Sequence, residues 1–248
     1  MESSQMANYV SNLIILKGNN VHMAKLAAGS KTSIFDFEKI MPTPSGLPEF
    51  TSHGCVTALA HHLVELDLDL VELENLLSPI EKILAVGEVI DRKNEYLKAL
   101  NEYYSLDGSL KDKSLSPLYP DTREEFEKLG KRIYDLVKEH RALNLYDWRS
   151  LNWNTRSEAE GINSVDNEIS FSTRWSSPFP VVEKWAKDHQ LSLTYKVFES
   201  GCHWWYVAEF VDGVLISKRD SVKADLRPLL KEIYDYTDAE IDENYVTE

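Results

Sequence analysis

The stretch that decides the fold lies in the last quarter of the chain, where residues 191–217 read LSLTYKVFESGCHWWYVAEFVDGVLIS. β-Branched and aromatic residues fill the runs Leu191 to Glu199, Trp204 to Phe210 and Val214 to Ser217, which is typical of strands. Asp212-Gly213 separates the last two runs, and this dipeptide is a strong signal for a two-residue hairpin turn. The sequence therefore predicts a β-hairpin here, with a further strand before it.

Two more strands are predicted outside this stretch. Residues Tyr9 to Leu16 (YVSNLIIL) end at a turn cluster that begins with Gly18, and residues Glu168 to Trp175 (EISFSTRW) are also rich in β formers. Ser177-Pro178 predicts the start of a helix after the second of these strands.

The segment between the first strand and residue 50 carries weaker signals. Residues Val21 to Ala28 are predicted to form a short helix that ends at Gly29. Ile34 to Ile40 (IFDFEKI) alternates apolar and polar side chains with a period of two, which predicts a short strand. The prolines that follow indicate an extended loop.

From about Cys55 to Leu143 the apolar period is that of helices. Six leucines step by three or four residues and therefore share one helix face: Leu59, Leu63, Leu66, Leu70, Leu73 and Leu77. Ser78-Pro79-Ile80-Glu81 predicts that a helix restarts and runs to about Tyr104, and Thr122-Arg-Glu-Glu125 predicts the start of a third long helix. The last helix of the chain is expected to begin near Ser221 and to continue past Pro228, or, because Pro228 would interrupt an early start, to begin at Arg227 or break there.

These signals predict an α+β fold in which helices back an antiparallel sheet. Neither end of the chain holds enough strands for a sheet of its own, so residues 1–50 and 144–220 are expected to form one discontinuous domain. Residues 51–143 are then a helical insertion, and residues 221–248 are an acidic C-terminal helix or tail.

The charge of the chain limits its partners. The 248 residues include 41 acidic and 27 basic side chains, a formal net charge of -14. This surplus of acid makes nucleic acid an unlikely partner, because phosphate neutralisation needs a basic face. No run approaches the roughly 18 apolar residues of a membrane span, and the first residues do not resemble a signal peptide. We therefore expect a cytoplasmic protein with no membrane association.

Half of the net charge lies in residues 232–248, which contain seven acids and no base. One interpretation is a solvated acidic helix and tail that keep the protein soluble. The other is a docking surface for a basic partner or an imitation of nucleic-acid phosphate, because tyrosines and isoleucines are interspersed with the acids. The acids predicted for such a surface are Asp235, Asp238, Glu240, Asp242 and Glu243.

Catalytic and cofactor motifs are absent from the sequence. There is no Gly-x-Ser-x-Gly elbow, no phosphate-binding loop and no dinucleotide fingerprint. The clusters His53-Gly54-Cys55, His61-His62 and Cys202-His203 lack the spacing that presents two ligands to one metal ion. We assign no catalytic residue, no cofactor and no metal, and an enzyme is the less favoured class.

The densest polar and aromatic stretch is Tyr146 to Arg156 (YDWRSLNWNTR). One interpretation is a rigid, irregular corner packed against the sheet, because Asn and Thr side chains bond readily to nearby backbone. The other is a recognition surface in which Trp153 stacks on a planar group while Arg156 or Arg174 pairs with an acid or a phosphate. The candidate ligand-binding or partner-binding residues are Trp148, Asn152, Trp153, Asn154, Arg156, Arg174, Trp175 and Trp204.

Several of these motifs, in their order along the chain, resemble the YubB-type ferredoxin-like domain family of phages and conjugative plasmids. The motifs are MANYVSN at residues 6–12, FDFEKIMP at 35–42, Asp147-Trp148 followed by NWNTR at 152–156, and ISFSTRW at 169–175. The family usually has NWGTK in place of NWNTR. The resemblance covers about residues 6–45 and 145–216, and it implies a ferredoxin-like sheet on a small accessory protein of a mobile genetic element.

Three functions follow as hypotheses. The first is a non-enzymatic accessory protein of a phage or plasmid, which inhibits a host defence system by binding a host protein in the bacterial cytoplasm. The second is a protein that sequesters a nucleotide signal between Trp153, Arg156, Arg174 and the strand at Trp204. An enzyme of unknown reaction is the third.

Overall fold

The structure is a computed structural model that describes residues 8–18, 21–49, 53–66, 104–105, 107–115 and 120–245. Six strands of these residues form one open antiparallel sheet in the order β2-β3-β1-β4-β5-β6. The strands are β1 (Tyr9–Lys17), β2 (Glu160–Val165), β3 (Glu168–Arg174), β4 (Ser192–Glu199), β5 (Trp204–Val211) and β6 (Val214–Asp220). The predicted α+β class is confirmed, since helices accompany this antiparallel sheet.

Eight α-helices lie among the described residues. They are α1 (Val21–Ala28), α2 (Phe37–Ile40), α3 (His53–Glu65), α4 (Arg123–His140), α5 (Leu145–Asn152), α6 (Phe179–Asp188), α7 (Lys223–Tyr234) and α8 (Asp238–Tyr245). A 3₁₀ turn lies at Lys113–Leu115. None of the described helices is both long enough and apolar enough to cross a membrane.

The hairpin of β5 and β6 forms at the predicted place. Val211 pairs with Val214, and the two turn residues Asp212 and Gly213 have φ of 48° and 80°. Both values lie in the left-handed region that a type I′ turn requires. A Cβ on Gly213 would lie 2.9 Å from the carbonyl oxygen of Ala186, so the turn also needs the absence of a side chain.

One face of the sheet packs against aromatic residues and α6. The Phe35 ring lies 5.2 Å from both the Phe171 and the Trp185 rings, measured between centroids. Phe179, which begins α6, contacts Tyr195 on β4 and Tyr206 on β5. These rings exclude water from this face, so it holds the main core of the sheet.

The opposite face is covered in part by α7 and α8. Phe198 of β4 and Val207 of β5 form a buried cluster with Leu229, Leu230 and Ile241 of the two helices. The Tyr234 hydroxyl and Ser11 Oγ of β1 are hydrogen bonded at 2.8 Å. The acidic C-terminal segment is thus part of the folded core through residue 245.

The chain divides into two compact units, Met1–Thr43 with Arg149–Glu248, and Pro44–Trp148. The first unit contains the sheet. In the second, α3 and α4 approach closely at Gly130, where an added Cβ would lie 2.2 Å from the Ala58 carbonyl oxygen. Thr122 caps α4 as predicted, because its Oγ1 accepts from the Glu125 N–H at 3.2 Å.

Three predictions of local structure need correction. Ile34 to Ile40 pairs with no strand among the described residues; Asp36 caps the single turn of α2 instead, and Phe35 and Phe37 are both buried. β2 was missed because EGINSV is polar and contains glycine. For the last helix, a start near Ser221 that passes Pro228 agrees with α7, which begins at Lys223, whereas a start or break at Arg227 is wrong; burial of Leu229 and Leu230 compensates for the lost backbone hydrogen bond.

The predicted helix α1 is confirmed. α3 confirms the first part of the leucine stripe, with Leu59 and Leu63 fully buried. The rest of that stripe from Leu70, and most of the helix predicted from Ser78, fall outside the described residues.

Candidate functional site

Trp153 lies in the core and not on a recognition surface. Its side chain has 0% exposure, and its Nε1 donates to the Met41 carbonyl oxygen at 2.9 Å. The Phe37 ring contacts it edge-on at 5.5 Å, and the Arg149 guanidinium lies over it at 4.6 Å. Because no part of the indole is accessible, the prediction that Trp153 stacks on a ligand does not fit this structure.

The neighbours of Trp153 tie a loop corner to the sheet. Asn154 has φ of 63° and its Nδ2 donates to the Ser177 carbonyl oxygen at 3.1 Å, while Thr155 Oγ1 donates to the Arg174 carbonyl oxygen at 3.0 Å. Arg156 Nε donates to Ser150 Oγ at 3.0 Å. Asn152 is half-buried, and Trp148, which belongs to the second unit, is buried. These contacts favour the first interpretation of residues 146–156, a structural corner, over a recognition surface.

A cluster of charges lies beside this corner. One Arg149 nitrogen, Nη2, lies 2.8 Å from both Glu38 Oε1 and Glu158 Oε1. Burial raises the pKa of Glu158 to about 6; Arg149 lowers it, and Glu38 and Asp36 add to the rise. The cluster bridges α2, α5 and the loop before β2, and its effect on stability depends on whether Glu158 is protonated.

Two of the predicted residues, Arg174 and Trp175, lie together at the end of β3. Trp175 is 50% exposed and has φ of 70°, an unusual conformation for a large side chain, and its N–H donates to the Asn8 carbonyl oxygen at 2.8 Å. Tyr9, opposite Arg174 on β1, is also exposed. Arg174 Nε lies 2.8 Å from Glu160 Oε1. We call Tyr9, Arg174 and Trp175 the tryptophan surface.

Trp204 does not join this surface. It is half-buried on β5, where its ring stacks on Tyr206 at 6.4 Å. Strands β1 and β4 lie between β3 and β5 in the sheet, a separation of roughly 14 Å. The eight predicted aromatic and polar site residues therefore do not form one site.

The acids of the C-terminal segment are partly neutralised within the fold. Arg227 pairs with Asp238 and Asp242, and Lys231 also pairs with Asp238. Hydrogen bonds from Lys231 and then Arg227 lower the pKa of Asp238. Glu240 accepts from the Thr237 N–H and hydroxyl, whereas Asp235 and Glu243 are exposed. Only part of the predicted acidic surface is thus left to attract a basic partner.

The aromatic residues of the same segment are used inside the first unit. The Phe198 ring contacts Tyr234 and Tyr245 edge-on at 5.9 Å and 5.5 Å. Tyr236 stacks between Tyr234 and Tyr245, with centroids 5.1 Å and 6.1 Å away. These tyrosines attach α7 and α8 to the sheet. Ring surface used in these contacts is not available for the docking role that the sequence had predicted.

A concave cavity of about 460 Å³ lies where these aromatic residues meet α7. Strand β4, strand β5 with the turn before it, α7 and α8 all contribute to its wall. The lining residues are Phe198, His203, Trp205, Lys223, Leu226, Arg227, Ile241 and Tyr245. We call this the aromatic cavity.

The aromatic cavity has fixed apolar walls and a cationic rim. Trp205 is held by its Nε1, which donates to the Val222 carbonyl oxygen at 3.2 Å, so the only donor of the indole is already used. His203 contacts the Tyr245 ring at 5.5 Å. Burial raises the pKa of Tyr245 to about 12, with Tyr236 and Tyr234 adding to the rise, so its phenol is neutral near pH 7. Lys223 is exposed beside these walls.

None of the eight lining residues was among the site residues predicted from the sequence. Strand alternation does place Trp205 on the face opposite to Trp204, and the apolar stripe of α7 includes Leu226. Those two signals indicate that α7 covers the Trp205 face, although they do not show that a cavity remains between them. Among the described residues, no group of three or more His, Cys, Asp or Glu side chains is placed to hold a metal ion.

Comparisons with known proteins leave the family of the chain open. No protein-family model and no curated protein matches it. Among solved structures, the chain is similar to the crystal structure of a protein api92 from Yersinia pseudotuberculosis, described with the family model DUF1281. The two are 11% identical over 87% of this chain and 98% of that chain, with a TM-score of 0.34. At that TM-score the likeness supports no conclusion about the fold or the function of this chain.

Proposed function

We propose that the protein is a non-enzymatic binding protein that holds a small organic ligand in the aromatic cavity. The observation that carries the proposal is the cavity itself, about 460 Å³ in volume and walled by Phe198, Trp205 and Tyr245. Small-molecule sites typically measure about 300–1,000 Å³ and combine apolar or aromatic walls with a few polar groups. The aromatic cavity has both properties.

The proposal keeps the ligand-binding hypothesis but moves its site. Trp153 is buried, and two strands separate Trp204 on β5 from Arg174 on β3. The ligand site predicted from the sequence therefore has no single location. The aromatic cavity lies instead on the Trp205 face of the sheet. Binding there would sequester a ligand between the sheet and the C-terminal helices.

A cavity-filling substitution tests this function. Leu226→Trp places a larger side chain in the cavity, and Leu226→Met conserves the volume at the same position. We expect planar small molecules, screened as nucleosides, nucleotides and aromatic carboxylates, to raise the Tm of the wild type and of Leu226→Met but not of Leu226→Trp. A ligand at 100 times its Kd would stabilise the fold by about 2.7 kcal/mol. Calorimetry that finds no ligand in the panel, or equal binding by both variants, would contradict the proposal.

A second candidate function is protein binding through the tryptophan surface. Trp, Tyr and Arg are the residue types that most often dominate the free energy of protein interfaces, and here Tyr9 and Trp175 are both about half exposed. The left-handed backbone of Trp175 adds to this, because strained residues occur often at functional sites.

The tryptophan surface is tested by comparing Trp175→Ala with Val165→Ala, which truncates another exposed apolar side chain of the same sheet. A host protein captured in stoichiometric amounts by the wild type and by Val165→Ala, but lost with Trp175→Ala, is the expected result. Capture that is the same for all three proteins removes this candidate.

We also keep, as proposals, the finer statements implied by the family resemblance. They are a ferredoxin-like arrangement of the sheet, an origin in a phage or plasmid, a cytoplasmic location in a bacterial host, and inhibition of a host defence system. Expression in bacteria that carry such a system should then restore phage growth. An unchanged plating efficiency across a set of defence systems would count against inhibition.

A further inference from the structure

We propose that the ligand of the aromatic cavity is a planar ring that carries an anionic group, and that Lys223 binds the anion. This inference rests on the proposed binding function and specifies its ligand class. It starts from the charges around the cavity. Of the eight lining residues, Lys223 and Arg227 are cationic, and none of the described residues that line the cavity is acidic.

That lining departs from the charge of the whole chain. With 41 acidic against 27 basic side chains, most surfaces of this protein should be lined by more acid than base. A cavity lined by cations and no acids repels an anion less than the rest of this acidic surface does. Its cations also lie beside low-dielectric walls, which strengthen their electric field. The ligand group that fits this rim is therefore negative.

The two cations differ in how far they are already compensated. Arg227 is held between Asp238 and Asp242, so its charge is offset by α8. Lys223 makes no hydrogen bond or ion pair with any residue that the structure describes, and it stands at the first position of α7. Lys223 is thus the group with capacity for a new anion, while Arg227 mainly fixes the wall.

The walls select the rest of the ligand. Three aromatic side chains, Phe198, Trp205 and Tyr245, line the cavity, the single donor of Trp205 is bonded to Val222, and Leu226 and Ile241 add aliphatic surface. Tyr245 is a neutral phenol that can exchange hydrogen bonds with a polar ring edge. Stacking of a ring on an aromatic side chain is favourable whatever the ring's hydrogen-bonding pattern. A ring with a phosphate or a carboxylate fits both parts of the site.

The experiment compares four probes on the full chain by isothermal titration calorimetry. Adenosine 5′-monophosphate and indole-3-acetate each combine a ring with an anion, phosphate in the first and carboxylate in the second. Adenosine supplies the ring alone, and inorganic phosphate supplies the anion alone. We expect at least one of the first two to bind about tenfold more tightly than adenosine or phosphate, which is the contribution of one charge-assisted hydrogen bond.

Lys223→Gln isolates the residue. It should lower the affinity for the anionic ligand about tenfold and leave the affinity for adenosine unchanged. It should also remove most of the loss of affinity that added salt causes. Lys187→Gln, which removes an exposed lysine of α6, is the matched control and should bind as the wild type does.

The outcomes separate the two proposals. Equal affinity for adenosine and its monophosphate, affinity for phosphate equal to that for the whole ligand, or an unchanged affinity in Lys223→Gln would overturn this inference while the binding function stands. If no probe and no other planar molecule binds, the proposed function itself fails.

Discussion

At the scale of single residues, Glu158 has the largest consequence for pH dependence. Its pKa is raised from 4.5 to about 6, mainly by burial, against the effect of Arg149. The folded protein therefore binds more protons at this site than the unfolded chain between these two values. The stability contributed by Glu158 is fully present below about pH 4.5 and is lost as the pH rises through about 6.

Glu158→Gln tests that prediction, because Gln keeps the shape and does not titrate. The difference in the free energy of unfolding between the wild type and this variant should change in favour of the variant as the pH rises from 4.5 to 6, measured by urea denaturation. Glu183→Gln, which removes an exposed carboxylate of α6, is the control. A difference for Glu158→Gln that does not vary with pH would show that burial does not control this carboxyl.

At the scale of elements, the packing of α3 against α4 depends on one glycine. A Cβ at position 130 would meet the Ala58 carbonyl oxygen at 2.2 Å and His62 Cβ at 3.2 Å. Backbone cannot move aside as a flexible side chain can, so Gly130→Ala must push the two helices apart. We expect it to destabilise the second unit by about 1–3 kcal/mol in urea denaturation.

The control for Gly130→Ala is Glu124→Ala, which lies on the exposed surface of the same helix. Gly130→Ala gains more helix propensity than Glu124→Ala and breaks no ion pair, whereas Glu124→Ala loses the exposed pair with Lys128, so a larger loss of stability at position 130 must come from the helix contact. Greater stability of Gly130→Ala than of the wild type would mean that α3 and α4 are not in this close contact.

Elements also show why part of the structure could be predicted and part could not. The strands at 9–17, 168–174, 192–199 and 204–211 were predicted because buried strands need runs of β-branched and aromatic side chains, whereas the exposed strand β6 was predicted from the Asp212-Gly213 turn before it. β2 is an edge strand with an alternating, only partly buried pattern, so little in EGINSV distinguishes it from a loop. Period-two alternation at Ile34 to Ile40 was misleading, because Phe35 and Phe37 are buried without belonging to a strand.

The candidate site was harder to predict than the fold for a physical reason. Within the dense motif at Asn152 to Arg156, the side chains of Trp153, Asn154 and Thr155 bond to backbone, so the conspicuous composition reflects a structural requirement. The aromatic cavity takes its residues from four segments between Phe198 and Tyr245, and none of them is unusual locally. Convergence of that kind depends on how α7 and α8 lie on the sheet, which residue spacing does not encode.

At the scale of the whole molecule, the net charge of -14 should affect stability through its long-range repulsion. The screening length falls from about 30 Å at 0.01 M salt to about 10 Å at 0.1 M. Since exposed ion pairs such as that of Lys128 and Glu124 each contribute little, we expect the loss of repulsion to dominate.

The expected result is a higher Tm at 0.1 M than at 0.01 M sodium chloride, followed by circular dichroism. Potassium chloride at the same ionic strength should give the same rise, because screening does not depend on which monovalent cation is present. A Tm that falls with added salt would show that the ion pairs of the surface outweigh the repulsion.

The position of β1 in the sheet has a consequence for the order of folding. In β1, Tyr9 pairs with Arg174 of β3, and Val10 pairs with Glu199 of β4. Both neighbouring strands are therefore synthesised long after β1. Contacts between residues so distant in sequence slow folding, because a long loop must close before they form. The nascent chain therefore emerges from the ribosome with its central strand unpaired. The six-stranded sheet can be completed only after β4, β5 and β6, which are neighbours in sequence, have been translated.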